Sequence, residues 1–286
     1  MEKNIFVYYG KGVSKEATEM LFESLKTMCG HYKISLISPE EIRKGDLLRT
    51  AALLAIGGGY DTGYIQALQS DGIRNIKNYV EGGGSYLGIC AGAYLACRRI
   101  EFDKGGKFEV CGSRDLGFFP GVCIGPTFPG FLYDSEAGAH AAQIKTDDSM
   151  VTKISSTDQG SKDIIPKDIP DTYLYFNGGG HFTLDDKTSQ NVKIIARYNN
   201  SPDGIPHPAV VWCKVILAMG VQWILLILIF GIVNTNAVTT LPPTTTTVAT
   251  TTADLSQNFN SKATVPTSNL YLYVLTVCGM SMMRLI

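Results

Sequence analysis

The sequence predicts an α/β protein built on a parallel β-sheet with helices on both faces. Three observations predict this class. Short apolar, strand-like runs alternate with helix-period segments from Asn4 to about Cys97, glycine clusters follow or precede such strands, and a cysteine lies at a strand-to-helix turn. Strands and helices in this order form parallel pairs with right-handed crossovers, so ligands are expected at the carboxyl ends of the strands.

The first elements follow from local signals. Strands are predicted at Asn4 to Tyr9, Tyr32 to Ile37 and Ala51 to Ile56. The helix between the first two strands repeats its apolar residues at helical spacing, with Ser14 as its N-cap and Gly30 as its stop.

Cys90 lies between two glycines, after a predicted strand at 85–87 and before a helical run at 93–97. Glycines at such a turn permit a strained backbone angle, so the thiol projects above the sheet edge and the next N–H points into the same space. The run Gly57-Gly58-Gly59 would supply further N–H groups for an oxyanion or another anion. A tight turn between strand and helix explains the same glycines.

The region from about Gly105 to Asn200 is richer in glycine, proline and aromatic residues. Strands are predicted at 173–176 and 192–198, with a polar loop at 155–171 and another strand beginning near Ala209.

The composition changes after Trp212. Val215 to Val233 carries no charge, and a helix of that length spans roughly 28 Å, whereas a strand needs only about five or six residues. We therefore expect a transmembrane helix at 215–233, with the preceding domain on the cytoplasmic side because Lys214 lies at its edge. The alternative is a core strand at 209–221, continued by a sequence that never folds or by an error in the gene model.

Two segments follow. Residues 234–269 are rich in threonine, and such a composition predicts a disordered or O-glycosylated stalk. Residues 270–286 form an apolar tail that fits a GPI-type signal, a second short span or an artefact.

The net charge and the spacing of the cysteines argue against several classes of protein. A formal net charge of -1 gives no electrostatic case for nucleic acid. The seven cysteines show no CxxC pair or matched histidine spacing, so neither a disulfide framework nor a zinc site is expected. No cofactor or metal is predicted, and the N-terminus begins with a strand instead of a secretory segment, which predicts a cytosolic domain.

Six motifs occur in order along the chain. They are Gly57-Gly58-Gly59-Tyr60-Asp61, Tyr86-Leu87-Gly88-Ile89-Cys90-Ala91-Gly92-Ala93-Tyr94, Ile100-Glu101-Phe102, Gly112-Ser113-Arg114-Asp115-Leu116-Gly117-Phe118-Phe119-Pro120-Gly121, Ser135-Glu136-Ala137-Gly138-Ala139 and Tyr175-Phe176-Asn177-Gly178-Gly179-Gly180. Together they resemble the N-terminal domain of eukaryotic biotin-protein ligases, over residues 1–215.

The resemblance implies a fold similar to class I glutamine amidotransferases, a flavodoxin-like sheet with a cysteine elbow. It also implies, after the strand at 210–215, a glycine-containing turn, another strand and a His-Pro-Glu-like segment. Here Val221-Gln222-Trp223 runs on into apolar sequence, and nothing after Trp212 resembles the ligase catalytic domain.

A thiol nucleophile of this kind needs a histidine with a carboxylate behind it. The last glutamate is Glu136, so no His-x-Glu pair exists further on. The remaining pairings are His181 with Asp185 or Asp186, and His207 with Asp203. His181 is the candidate base, and a turn or surface residue is the alternative.

The candidate site therefore has a nucleophile, Cys90, and a base, His181. The predicted pocket and oxyanion residues are Gly57, Gly58, Gly59, Tyr60, Asp61, Ala91, Gly92, Arg114, Asp115, Ser135, Glu136, Asn177, Gly178 and Gly179. Arg114 and Asp115 either pair internally or reach a carboxylate or phosphate ligand.

Three hypotheses follow. The first, which we favour, is a non-catalytic amidotransferase-like domain that binds an unknown small molecule or protein partner at the Cys90 pocket. The second is a thiol-dependent amidase or glutamine amidotransferase. The third is a membrane-anchored display protein, tethered through Val215 to Val233 and carrying a threonine-rich stalk.

Overall fold

The structure is a computed structural model, and it describes residues 4–147, 172–184, 189–217 and 220–227. The strands are β1 (Asn4–Tyr8), β2 (Lys33–Ile37), β3 (Ala51–Ile56), β4 (Ser85–Ile89), β5 (Cys97–Phe102), β6 (Val110–Ser113), β7 (Phe119–Gly125), β8 (His140–Thr146), β9 (Thr172–Phe176), β10 (His181–Thr183), β11 (Val192–Tyr198), β12 (Pro208–Leu217) and β13 (Gly220–Ile227). The helices are α1 (Lys15–Met28), α2 (Pro39–Lys44), α3 (Asp61–Glu81) and α4 (Ala91–Ala96).

The main sheet has nine strands in the order β2-β1-β3-β4-β13-β12-β11-β8-β9. Its first five strands are mutually parallel, and the strands from β13 to β9 pair antiparallel. The predicted α/β class with a parallel sheet is confirmed for the first half, and the whole sheet is mixed.

The helices cover both faces of the parallel half. On one face Leu21 of α1 packs in a buried cluster with Val7 of β1. On the other face Leu68 of α3 packs in a second cluster with Leu54 of β3, and α2 and α4 contribute to the same cluster. A four-stranded sheet of order β10-β7-β5-β6 joins this second cluster, through Phe119 and its neighbours.

The first helix, α1, begins and ends where the sequence predicts. Ser14 is its N-cap, and the Ser14 hydroxyl accepts a hydrogen bond of 3.1 Å from the Ala17 N–H. The helix ends with Cys29 as its C-cap, so Gly30 is the first residue beyond it.

The predicted transmembrane helix at Val215 to Val233 is wrong. Its described residues belong to β12 and β13, which form an antiparallel hairpin, and β13 also pairs in parallel with β4. The charge-free run contains parts of two strands at the centre of the sheet. Strands that are covered on both faces read as continuous apolar runs without alternating polar residues, so the length of such a run does not distinguish one helix from two strands.

No helix in the described part of the chain is long and apolar enough to cross a membrane. The strand that the resemblance implies after β12 is present as β13. The polar loop predicted at 155–171 and the segments at 234–269 and 270–286 lie outside the described residues, as do 228–233.

Candidate functional site

Cys90 occupies a strained turn between β4 and α4. Its backbone angles are φ 50° and ψ -110°, a conformation that residues with a side chain rarely adopt. The turn is closed by glycine, since a Cβ atom at Gly92 would lie 2.1 Å from the carbonyl oxygen of Ile56 in β3. The Gly92 N–H instead donates to the Gly57 carbonyl at 3.1 Å. Close packing of the elbow against the end of β3 thus requires glycine at this position.

The Cys90 thiol lies against backbone donors and is almost completely buried. The residue is 8% exposed, and the N–H groups of Ala91 and Gly59 donate hydrogen bonds to its sulfur. Burial raises the thiol pKa to about 11, against the opposing effect of these two N–H groups, and the nearby Asp61 carboxylate raises it further. The thiol is therefore protonated at neutral pH.

The three glycines that follow β3 have different roles. Gly59 has φ 147°, and a Cβ atom there would lie 1.9 Å from the carbonyl oxygen of Gly12, so this position accommodates only glycine without rearrangement. Gly57 and Gly58 lie behind the site, where both carbonyls accept from the Tyr64 hydroxyl at 2.9 and 3.1 Å. Of the three, Gly59 supplies the N–H that faces the sulfur.

A cavity of about 460 Å³ opens above Cys90. Its described lining residues are Val13, Ser14, Glu16, Gly59, Tyr60, Asp61, Cys90, Ala91, Tyr94, Ile100, Phe102, Val110, Phe131, Leu132, Tyr133, Asp134, Ser135, Glu136, Tyr175, Asn177 and Gly178. The structure therefore brings nine of the sixteen sequence-predicted site residues to one cavity. They are Gly59, Tyr60, Asp61, Cys90, Ala91, Ser135, Glu136, Asn177 and Gly178.

An aromatic wall forms one side of this cavity, and the sequence reasoning missed it. Phe131 makes edge contacts with Phe102 at 5.6 Å and with Tyr133 at 4.8 Å between ring centroids. Phe102 comes from β5, and the other two come from the loop between β7 and β8. The aromatic residues Phe128, Phe131 and Tyr133, shortly before Ser135, are the sequence signal that could have indicated this wall.

A buried ion pair lies at the base of the cavity. The Arg114 Nε atom is 2.5 Å from the Asp61 carboxylate, and the two side chains are 7% and 9% exposed. Asp61 lines the cavity and Arg114 lies behind it, so internal pairing is the observed arrangement of Arg114. Asp115 is exposed and does not line the cavity.

A hydrogen-bond network connects Ser135, Glu136, Tyr175 and Asn177, which also line the cavity. The Tyr175 hydroxyl donates to the Glu136 carboxylate at 2.6 Å, and Asn177 Nδ2 donates to the Ser135 carbonyl at 2.9 Å. Burial, followed by the bond to Glu136, raises the pKa of Tyr175 to about 12. Gly178 has φ 77°. The Gly179 carbonyl points away to accept from the Thr127 N–H at 2.9 Å.

His181 does not line the cavity. Its Nδ1 atom is 3.0 Å from the Thr127 hydroxyl, and its ring stacks on that of His207 at 3.9 Å. Burial lowers the His181 pKa to about 4, and His207 adds to this effect. His207 itself contacts Asp203 at 2.7 Å. Asp185 and Asp186 lie outside the described residues.

All four histidines of the chain are described, and none is among the residues that line the cavity. Within the described ranges, no cluster of three or more histidine, cysteine, aspartate or glutamate side chains is arranged to hold a metal ion. The arrangement offers a neutral thiol, two backbone donors, several carboxylates and an aromatic wall.

Comparison with known proteins assigns the chain to a family. The family model described as biotin-protein ligase, N terminal, matches residues 3–224. The chain belongs to this family. The match includes both strands of the β12–β13 hairpin up to Ile224, in agreement with their place in the sheet.

Two relatives show how much of a longer protein the chain spans. The chain is 36% identical over 214 residues to a biotin–protein ligase of Schizosaccharomyces pombe, which is 74% of this chain and 31% of that protein. It is 33% identical over 204 residues to an uncharacterized protein of Chlamydia muridarum, which is 70% of this chain and 71% of that protein. A solved thua-like protein from Bacteroides uniformis covers 80% of the chain at 12% identity, with a TM-score of 0.47.

Proposed function

We propose that the chain is a non-catalytic, amidotransferase-like domain that binds a small molecule in the Cys90 cavity. The observation that carries this proposal is a protonated, buried thiol at the floor of a 460 Å³ cavity that none of the four histidines lines. A cavity of this size suits a small organic ligand.

The charge of the thiol decides between binding and turnover. A thiolate is the nucleophilic form, and catalytic cysteines usually reach it through a neighbouring base or a lowered pKa. In this cavity burial raises the pKa of Cys90 to about 11, and the pKa of His181 is about 4 at a position outside the lining. At neutral pH the thiolate fraction is then on the order of one in 10⁴.

The pH dependence of Cys90 alkylation tests whether the thiol is protonated at neutral pH. Iodoacetamide modification of Cys90, followed by mass spectrometry of its peptide, is expected to show a rate midpoint near pH 11. The exposed Cys111 in the same chain reports the reagent's reaction with an accessible thiol. A midpoint at or below the ordinary thiol value of about 8.5 would overturn the proposal.

A thiol-dependent amidase is the second candidate, and one observation favours it. The strained Cys90 turn and the N–H groups of Gly59 and Ala91, which here donate to the sulfur, are similar to the paired backbone donors that stabilise an oxyanion in acyl transfer. This candidate predicts an acyl adduct on Cys90, visible by intact mass after incubation with amides or activated esters. The adduct would be absent from Cys90→Ala, which lacks the nucleophile. No adduct is expected if the first proposal is correct.

A further inference from the structure

The cavity carries a strong excess of negative charge. Four carboxylate residues line it, namely Glu16, Asp61, Asp134 and Glu136, and no lysine, arginine or histidine stands among the described lining residues. Arg114, behind the wall, offsets Asp61 alone. The whole chain has a net charge of only -1, so this excess is local to the cavity.

The four carboxylates come from three parts of the chain, namely α1, the beginning of α3 and the loop between β7 and β8. Asp61 is buried at the base, whereas Glu16, Asp134 and Glu136 are exposed at the rim. The pKa of Glu16 is lowered by its own backbone N–H and by the Ser14 hydroxyl, so Glu16 is ionised at neutral pH. Since the described residues hold no metal-binding cluster, a bare metal ion does not match this arrangement.

The remaining walls complement an organic cation. Aromatic rings at Phe102, Phe131 and Tyr133 supply apolar surface and the negative ring faces that attract ammonium and guanidinium groups. Asn177 is partly buried at the cavity wall, where its Nδ2 atom donates to the Ser135 carbonyl at 2.9 Å and its enclosed Oδ1 atom has no partner among the described residues.

We infer that the ligand is a small organic cation, an ammonium or guanidinium group on an apolar or aromatic stem. This inference rests on the proposed binding function and specifies its ligand class. The stem would lie against the aromatic wall, and the cationic group would face the rim carboxylates. A ligand carboxylate or phosphate placed here would meet like charge on several sides.

Three compounds with the same stem test the charge directly. They are 2-phenylethylamine, 3-phenylpropanamide and 3-phenylpropionate, which are cationic, neutral and anionic at neutral pH. Calorimetric titration of the full chain is expected to give affinity for the amine about tenfold above that for the amide, with the anion weakest. High salt should weaken amine binding several-fold, because the rim carboxylates are exposed to solvent.

A double variant tests whether the rim carboxylates attract the amine. Glu16→Gln combined with Asp134→Asn should weaken amine binding about five- to tenfold and leave amide binding unchanged. Glu19→Gln is the matched control, because Glu19 lies on the same helix, pairs with Lys15 in solvent and does not line the cavity. This control should bind the amine as the unmodified chain does.

The outcomes separate the two proposals. Equal or tighter binding of the anion or amide would overturn the ligand class while leaving a binding function intact. Failure of the amine to bind would also overturn the ligand class. The alkylation profile of Cys90 decides the proposed function independently, since it requires no ligand.

Discussion

At the scale of single residues, the environment of Cys90 decides the chemistry more than its position does. The turn presents the thiol as a nucleophile elbow would, with φ 50° and two backbone N–H groups directed at the sulfur. These donors favour the thiolate, yet burial outweighs them. A net rise from 9.0 to about 11 corresponds to about 3 kcal/mol in favour of the neutral thiol.

His181 provides a prediction at the same scale, because burial holds its pKa at about 4 against an ordinary value of 6.5. Between these values the unfolded chain binds a proton that the folded chain excludes, so stability falls as the pH is lowered through this window. His181 is only half-buried, which reduces its contribution to about 1–2 kcal/mol. His181→Asn should therefore flatten the fall in unfolding free energy between pH 6.5 and 4, measured by urea denaturation.

The control for this measurement is His31→Asn, which removes an exposed imidazole, and the slope of His181→Asn is compared with the slope of this variant. His140, whose pKa burial also lowers, remains in both variants and contributes equally to each. An unchanged slope in His181→Asn would contradict the assignment of His181 as a neutral, buried group.

At the scale of elements, the Asp61–Arg114 pair connects the beginning of α3 to the chain just beyond β6. The two residues are 53 positions apart in sequence and both side chains are buried, so the pair joins the main sheet's helical layer to the small sheet. The pair also sets the charge at the base of the cavity. A buried pair of this kind is costly to break, because the remaining charge is left without a partner.

Replacing Arg114 alone should accordingly be severe. Arg114→Met leaves the Asp61 carboxylate buried and unpaired, and is expected to lower the free energy of unfolding by about 3–5 kcal/mol. Adding Asp61→Asn should recover most of that loss, since the uncompensated charge is removed. Urea denaturation of the two single variants and the double variant measures this coupling.

A solvent-exposed ion pair on α3, the helix that carries Asp61, serves as the control for Arg114→Met. Arg74→Met breaks the pair with Asp71, whose side chains are 62% and 56% exposed, and should cost less than about 1 kcal/mol. If Arg114→Met proved as mild as Arg74→Met, the buried pair would have no structural role.

The elements that the sequence predicted are those set by local signals. The N-cap at Ser14, the strand before Cys90 and the glycine turn after Ile56 follow from neighbouring residues, and each appears at its expected place. The strand beginning near Ala209 was predicted, but the rest of the hairpin, from Val215 onward, was predicted as a helix, because strand pairing depends on distant partners and a charge-free run has no periodicity to distinguish the two.

The difference between local signals and contacts of distant residues also explains which parts of the cavity were predicted. Its floor was predicted because Cys90 and Gly59 lie in adjoining turns of consecutive parallel strands. Its aromatic wall was missed because Phe102 and Phe131 come from separate elements that meet only in the folded chain. The position of His181 was likewise unpredictable, since β10 joins the small sheet beside β7 and directs the ring toward Thr127 and His207.

At the scale of the whole molecule, β13 joins two differently built halves. It pairs in parallel with β4 and antiparallel with β12, so the parallel half that carries Cys90 and the antiparallel half that carries the Asn177 rim share one continuous sheet. Because residues from both halves line the cavity, the site depends on this connection.

Leu226 tests whether the two halves unfold together. Its side chain is fully buried within β13, so Leu226→Ala should lower the free energy of unfolding by about 2–5 kcal/mol. Native-state hydrogen exchange should show an equal loss of protection in β3 of the parallel half and in β11 of the antiparallel half.

The control Ile205→Ala removes a side chain that is 54% exposed and should change stability by less than about 0.5 kcal/mol. Loss of protection confined to one half would show that the halves are independent units, and the cavity could then open without global unfolding.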